Sequence, residues 1–346
     1  MKILIANDGP CAFYYIRLGL ARAFNACGHE VSIWDIHNTP ATDMFDNFNP
    51  DLFIGQTYNT TRALCTAIKE RPHMKVIMKA GDWGPLTDQI DSVKYPILKA
   101  SEQEKRIILD LYEEVQKPDY VHIQYHPTYL EDTHGYWKYH GIPINSMMSG
   151  ADIFEYTNGQ FRTEFYSDII FIGGYWQYKA ETANQYLIPL CNNFKHRIKI
   201  FGNNPWPVPQ YCGYIQNEIV KDVLASATIC PNLSEPHSQI FGFDIIERPF
   251  KLLSNKCFVI SDYVEGLNKL FGEKLVMAKS PVEFWEKIDH FIKNPDDRLE
   301  YINQGYNEVI DNHTYFHRVS EIFSNLELLS QANKCDEIYQ NIKKEL

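Results

Sequence analysis

Glu247-Arg248-Pro249-Phe250-Lys251-Leu252-Leu253-Ser254-Asn255-Lys256-Cys257-Phe258-Val259-Ile260-Ser261-Asp262 is the stretch around which the chain is organised. It predicts a helix of about two turns, a stop and a buried strand. Pro249 suits the first helical position, where a missing N–H costs nothing. Phe250, Leu252 and Leu253 supply an apolar face, and Asn255 is expected to take the left-handed conformation that ends a helix. Cys257 to Ile260 is an apolar run of the length of a parallel strand covered on both faces. Upstream, Ser234 to Gly242 reads as a polar loop. A loop feeding a helix N-terminus that carries an arginine gathers free N–H groups, the positive end of the helix dipole and a guanidinium, which together suit an anion.

Working outward, strands and helices alternate on both sides of this stretch. Lys2 to Ala6 is a buried-type strand, followed by a turn at Asn7-Asp8-Gly9-Pro10. A helix follows over Phe13 to Cys27, with Ile16, Leu20, Ala23 and Phe24 on its inner side and Gly28 as its C-terminal cap. Val31 to Ile36 closes a β-α-β unit. No GxGxxG follows the first strand, so a dinucleotide fingerprint is absent. Strands at 51–56, 75–79 and 120–124 continue the series, with a helix over 101–117 whose inner stripe is Ile107, Ile108, Leu111 and Val115. A second series starts at Asp168, with strands at 169–172, 198–201, 228–233 and 275–277 besides the opening one. The reading is two doubly wound α/β domains, 1–150 and 151–325, facing across a cleft, with a helical tail at 326–346. Open α/β sheets bind ligands outside the carboxyl ends of their strands.

Composition bounds the function. The 346 residues suffice for two domains of about 150 residues each, and 45% of them are apolar. With 33 Lys and Arg against 44 Asp and Glu, the net charge is −11. This balance argues against non-specific binding to a polyanion such as DNA. No apolar run approaches the roughly 20 residues of a membrane span. The eight cysteines show no CxxC pair, as expected of reduced core residues in a cytoplasmic protein. His313 and His317 have the four-residue spacing of metal ligands on one helix face, but no nearby carboxylate or cysteine completes a set, which favours a packing role.

Several motifs, taken in order, resemble the CgeB-like, group 1 glycosyltransferases of the GT-B fold. They are Gly28-His29-Glu30-Val31, Ser149-Gly150-Ala151-Asp152, Ile170-Phe171-Ile172-Gly173-Gly174-Tyr175 with Lys179, Arg248-Pro249-Phe250-Lys251, Asp262-Tyr263-Val264-Glu265-Gly266-Leu267 and His313-Thr314-Tyr315-Phe316-His317-Arg318-Val319. The resemblance covers roughly residues 140 to 325 well and the first domain loosely. It implies an N-terminal acceptor-side domain and a C-terminal domain holding a nucleoside diphosphate sugar. One position departs from the pattern. Lys251 stands where the family carries a glutamate for the ribose, and a lysine accepts no hydrogen bond. The nearest acid is Glu247.

The implied reaction moves a sugar from a nucleoside diphosphate sugar to an acceptor hydroxyl, and the departing diphosphate must be neutralised. The chain has no Asp-x-Asp triplet, which suits metal-independent transfer with no cofactor beyond the donor. Arg248, Lys179 and Lys251 are the candidate phosphate contacts, with Gly173 and Gly174 allowing close backbone approach beside Tyr175. Gly202, Asn203, Tyr214 and Ile215 end strands or turns where base and ribose would lie. Asp82, His126 and Asp8 follow first-domain strands and are the candidate general bases of an inverting transfer. Three alternatives stand beside this reading: a nucleotide-sugar epimerase, a non-catalytic binder of sugar nucleotides, and a glycosyltransferase acting on modified DNA bases.

Overall fold

The β1 strand (Lys2–Asn7) carries the unbroken apolar run Ile3-Leu4-Ile5-Ala6, and all four residues are buried, as in a sheet covered on both faces. In the computed structural model, which describes residues 1–9, 12–81, 97–176, 180–193 and 196–346, it lies inside a six-stranded sheet. The other members are β2 (Glu30–Asp35), β3 (Leu52–Gln56), β4 (Lys75–Lys79), β5 (Tyr120–Ile123) and β6 (Ile144–Ser146). Their order is β2-β1-β3-β4-β5-β6, and every pairing is parallel. The Ala12–Ala26 helix crosses from β1 to β2 and buries Leu20, Ala23 and Phe24. Gly28 ends this connection at φ 87°, a conformation in which a Cβ would be strained.

The second sheet is five-stranded, with β7 (Ser167–Ile172), β8 (Ile198–Phe201), β9 (Ala227–Asn232), β10 (Val259–Asp262) and β11 (Val276–Ala278) in the order β11-β10-β9-β7-β8. It too is parallel throughout. Ile169, Phe171, Leu187, Ile200, Ile260 and Phe284 belong to its core. The stretch quoted first folds as the Arg248–Ser254 helix followed by β10. Pro249 is the second helical residue, and the positive φ falls on Lys256 (54°) instead of Asn255. The Asn255 side chain is otherwise engaged, accepting from Gly159 N at 2.9 Å and donating to Lys221 O at 2.7 Å.

Three expectations shift. The 234–242 stretch is not a plain loop but contains the helix Pro236–Phe241, with His237 and Ser238 buried. In the Ile97–Glu114 helix the inner face is Ile108, Leu109 and Tyr112, and Ile107 is 55% exposed. The Tyr112 hydroxyl explains the phase, because it pairs with Thr60 Oγ1 at 2.9 Å. His313 and His317 share no helix, since His313 ends the Pro295–Asn312 helix and His317 belongs to Tyr315–Asn325.

The chain divides into two compact units, one of Met1–Met148 with Tyr315–Leu346 and one of Ser149–Thr314. The sequence reading ended the second domain at 325 and set 326–346 apart. Side-chain packing draws the line at 314. Phe323 meets Phe24 at 5.5 Å and His29 at 5.1 Å, both residues of the first unit. Phe316 stacks on Tyr339 of the Leu329–Lys343 helix at 5.1 Å.

Candidate functional site

In the second unit the chain runs from β7 outward to β8, then returns to the other side of β7 to make β9. The direction reverses between β7 and β9, and a gap opens outside their carboxyl ends where ligands bind in such sheets. Arg248 occupies that point. Its Nη1 donates to Leu233 O, just beyond β9, at 3.0 Å. Its Cζ lies 4.7 Å from the ring centroid of Phe171 on β7. Its Nη2 stands 3.0 Å from where a Cβ on Gly173 would be, so glycine there leaves the guanidinium room. Burial pulls the Arg248 pKa down, while Glu247, Glu235 and Asp262 pull it up. The group stays a cation, as arginine does in proteins.

Asp262, at the end of β10, holds the loop that presents Leu233. Its carboxylate accepts from Ser234 N at 3.0 and 3.1 Å, Ser234 Oγ at 3.1 Å and Gln239 Nε2 at 2.6 Å. Burial pushes the Asp262 carboxyl up, and these donors oppose the shift. His237 Nε2 lies 2.7 Å from Asp244 Oδ2, and Ser238 Oγ donates to the same oxygen, fixing the Pro236–Phe241 helix beside it. Lys251 Nζ pairs with Glu247 Oε1 at 3.3 Å and lies 4.2 Å from the Tyr156 ring centroid. A lysine so placed is the counter-ion of Glu247 first.

The turns after β7 and β8 are interlocked. Gly173 N donates to Phe201 O at 2.8 Å, and Gly202 N donates to Gly213 O at 3.0 Å. Trp206 Nε1 donates to Gly173 O and the Tyr211 hydroxyl to Gly202 O, both at 2.8 Å. A Cβ on Gly202 would fall 2.7 Å from Gly173 C and 3.1 Å from Gly174 N, so glycine is required for this approach. Asn203 Oδ1 reaches the same turn, 2.6 Å from where a Gly174 Cβ would stand. Tyr175 packs its ring on Trp206 at 5.1 Å and donates to Asn184 Oδ1 at 3.0 Å. Ile215 is buried, while Tyr214 is 65% exposed and Trp176 is 51% exposed.

Of the sequence candidates, Gly173, Gly174, Gly202, Asn203 and Arg248 therefore come together at one sheet edge. Lys179 and Asp82 lie outside the described residues. Asp262, the Leu233 carbonyl, Trp206 and Tyr211 also build the site, and sequence reasoning did not assign them to it. Asp262 appeared only inside a motif.

In the first unit, Asp8 follows β1 and accepts from Arg17 Nη1 at 2.6 Å, as does Asn7 Oδ1. Burial acts to raise the Asp8 carboxyl, but the Arg17 hydrogen bond and charge outweigh it and hold it below its ordinary value. His126 follows β5, and its Nδ1 accepts from Thr128 N at 3.4 Å and lies 2.9 Å from Thr128 Oγ1. With β3 and β4 between them, the strands that lead to Asp8 and His126 are three spacings apart, about 14 Å. Among the described residues, no group of three His, Cys, Asp or Glu is placed to hold a metal ion. No helix of the described residues is long and apolar enough to cross a membrane.

Comparison with known proteins bears on this architecture. T4 phage BGT, solved with UDP-glucose, covers 99% of both chains at TM-score 0.59 and 14% identity. Sucrose-phosphate synthase from Thermosynechococcus elongatus covers 100% of both at TM-score 0.63 and 11% identity. The fold is GT-B. An alpha-glucosyltransferase solved with UDP and a 13-mer DNA containing an HMU base shares the GT-B fold, covering 94% of this chain and 99% of its own at TM-score 0.63 and 12% identity. The family described as "Glycosyl transferase-like" matches residues 183–324, most of the second unit and the start of the returning helices. That description is broader than the CgeB-like group. Among curated proteins none matches the sequence. At these identities the likeness establishes the fold alone.

Proposed function

We propose that the protein is a glycosyltransferase that takes a nucleoside diphosphate sugar at the carboxyl edge of the second sheet and moves the sugar to an acceptor hydroxyl. The observation that carries this reading is Arg248, a half-buried cation at the β7/β9 reversal point, beside the Gly202 turn, where a Cβ would run into backbone. The diphosphate would lie against Arg248 and the Gly174 N–H, since the Gly173 N–H is taken by Phe201 O, and Lys179 is proposed as a further phosphate contact. Gly202, Asn203, Tyr214 and Ile215 would line the base and ribose, and Glu247, paired with Lys251, would be the acid offered to the ribose. In this reading Arg248 meets the charge of the leaving diphosphate and no protein-held metal is needed. T4 phage BGT has also been solved with UDP and Mn2+, so a stimulation by Mn2+ that chelator removes would overturn the metal-independent part.

The proposed bases of an inverting transfer are Asp8, His126 and Asp82. Asp8 is already neutralised by Arg17, and His126 would have to release Thr128 before its Nδ1 could take a proton. Turnover of Asp8→Asn, His126→Ala and Asp82→Asn variants against unchanged donor binding separates them.

The test of the donor site is a thermal-shift screen of nucleoside diphosphates and their sugars. A ligand at 100 times its Kd stabilises the native state by about 2.7 kcal/mol. Arg248→Ala should abolish that gain, and an unchanged shift would remove Arg248 from the site. Donor hydrolysis then separates an enzyme from a binder. A second reading, transfer to a modified base in DNA, draws on the alpha-glucosyltransferase and on a beta-glucosyltransferase described as a DNA modifying enzyme. It requires DNA binding that weakens steeply with salt, and the charge of −11 opposes it.

A further inference from the structure

Two cysteines with no part in the donor site face each other in the first unit. Cys27 follows the Ala12–Ala26 helix and Cys335 lies in the Leu329–Lys343 helix, 308 residues further along. Their sulfurs are 2.7 Å apart, both residues are buried, and both are free thiols. Phe24 and Phe323 pack nearby, and Cys335 Sγ also faces Phe316 O at 3.6 Å. A second adjacent pair, Cys230 and Cys257, interacts within the other unit. Bridging that pair would join segments that one sheet already holds together. Bridging Cys27 and Cys335 would join the two separate pieces of chain from which the first unit is made.

We infer that Cys27 and Cys335 are a redox-responsive modification site, where a disulfide covalently closes the first unit across the inserted second one. The chemistry needs a two-electron oxidant, such as a peroxide. One thiol, as thiolate, attacks a peroxide oxygen, giving a sulfenic acid and one water once the proton is counted. The second thiol then displaces the sulfenic oxygen as another water and forms the S–S bond. The sulfurs must close to about 2.05 Å, a small side-chain movement. The neighbouring Cys27 thiol and burial hold the Cys335 thiol well above the ordinary cysteine range. The packed pair is therefore slow to react, and oxidation proceeds as the Leu329–Lys343 helix opens locally. The stabilisation from a cross-link grows with the loop it encloses, and this loop is most of the chain.

The test uses the full chain carrying Cys212→Ser, which removes the one exposed thiol among the described residues. It is treated with hydrogen peroxide, unfolded, alkylated and mapped without reduction. The expected result is a Cys27–Cys335 linked peptide, lighter by two hydrogens and reversed by dithiothreitol, with the oxidised chain melting higher than the reduced one. Cys27→Ala and Cys335→Ala should each remove both the linked peptide and the melting gain. Recovery of Cys27 and Cys335 as alkylated thiols after the oxidant has reacted elsewhere, or a link between Cys230 and Cys257 alone, overturns the inference. The mapping on the C212S chain stands whether or not the alanine variants fold.

Discussion

Gly202→Ala and Gly174→Ala place a methyl group in the same turn with opposite consequences. The added Cβ at Gly202 falls 2.7 Å from Gly173 C, nearer still to Gly173 O, and 3.1 Å from Gly174 N. All three are backbone atoms, and ordinary contact begins at 3.4 Å. Relief needs a backbone shift of about 1 Å, against the Trp206 and Phe201 hydrogen bonds that pin Gly173. Overpacking of this kind costs about 1–3 kcal/mol. A turn displaced by that much also loses its N–H contact to a phosphate, about 1.5–3 kcal/mol for a charged acceptor, or roughly 10- to 150-fold in Kd. At Gly174 the added Cβ meets Asn203 Oδ1 at 2.6 Å and Trp176 Nε1 at 2.7 Å, the ends of side chains that can rotate away. That variant should stay within about 0.5 kcal/mol of the parent in stability. Thermal unfolding and calorimetric titration of both variants with a nucleoside diphosphate read the two quantities. Unchanged affinity in G202A, or equal losses in both variants, would refute the placement of the diphosphate at this turn.

Other expectations follow from the same geometry. Asp262→Asn replaces a carboxylate that receives five donor contacts with an amide that cannot accept them all, and should cost about 1–3 kcal/mol of stability; an unchanged denaturation midpoint counts against its organising role. Lys251→Ala should lower stability while leaving donor affinity intact if Lys251 serves Glu247, whereas a selective loss of affinity would make it a phosphate contact. Burial, with the N-terminal ammonium and Lys334, lowers the His29 pKa to about 4, and burial with Lys79 lowers that of His122 to about 3. The unfolded chain thus binds these protons first, so stability falls as pH drops from about 6.5 toward those values, by about 3 kcal/mol for His29 alone. His29→Gln should flatten the pH dependence of denaturant unfolding, and an unaltered slope would count against this account.

Local physics explains what was legible in the chain. β1 and the Arg248–Ser254 helix could be read because apolar runs and a 3.6-residue spacing are written in consecutive residues. The glycines of the site were legible because their residue type is itself the signal. The Leu233 carbonyl was not, since a backbone acceptor leaves no trace in residue type. Asp262 gave no sign of its organising role, because its donors come from a stretch whose helix, Pro236–Phe241, is hidden by polar residues. Ile107 was misplaced because Tyr112, through Thr60, sets the phase of its helix. The boundary at 314 depends on Phe323 meeting Phe24, a contact between residues nearly a whole chain apart, which no window of sequence displays.

Because the second unit is inserted between Met148 and Tyr315, the order of synthesis is not the order of completion. The ribosome releases all five strands of the second sheet while the helices that cover Phe24 and His29 have yet to be made. The inserted unit can reach its final form during translation. The unit begun first waits with an apolar flank open until its last two helices arrive, and that interval is when a nascent chain of this design is most exposed to aggregation.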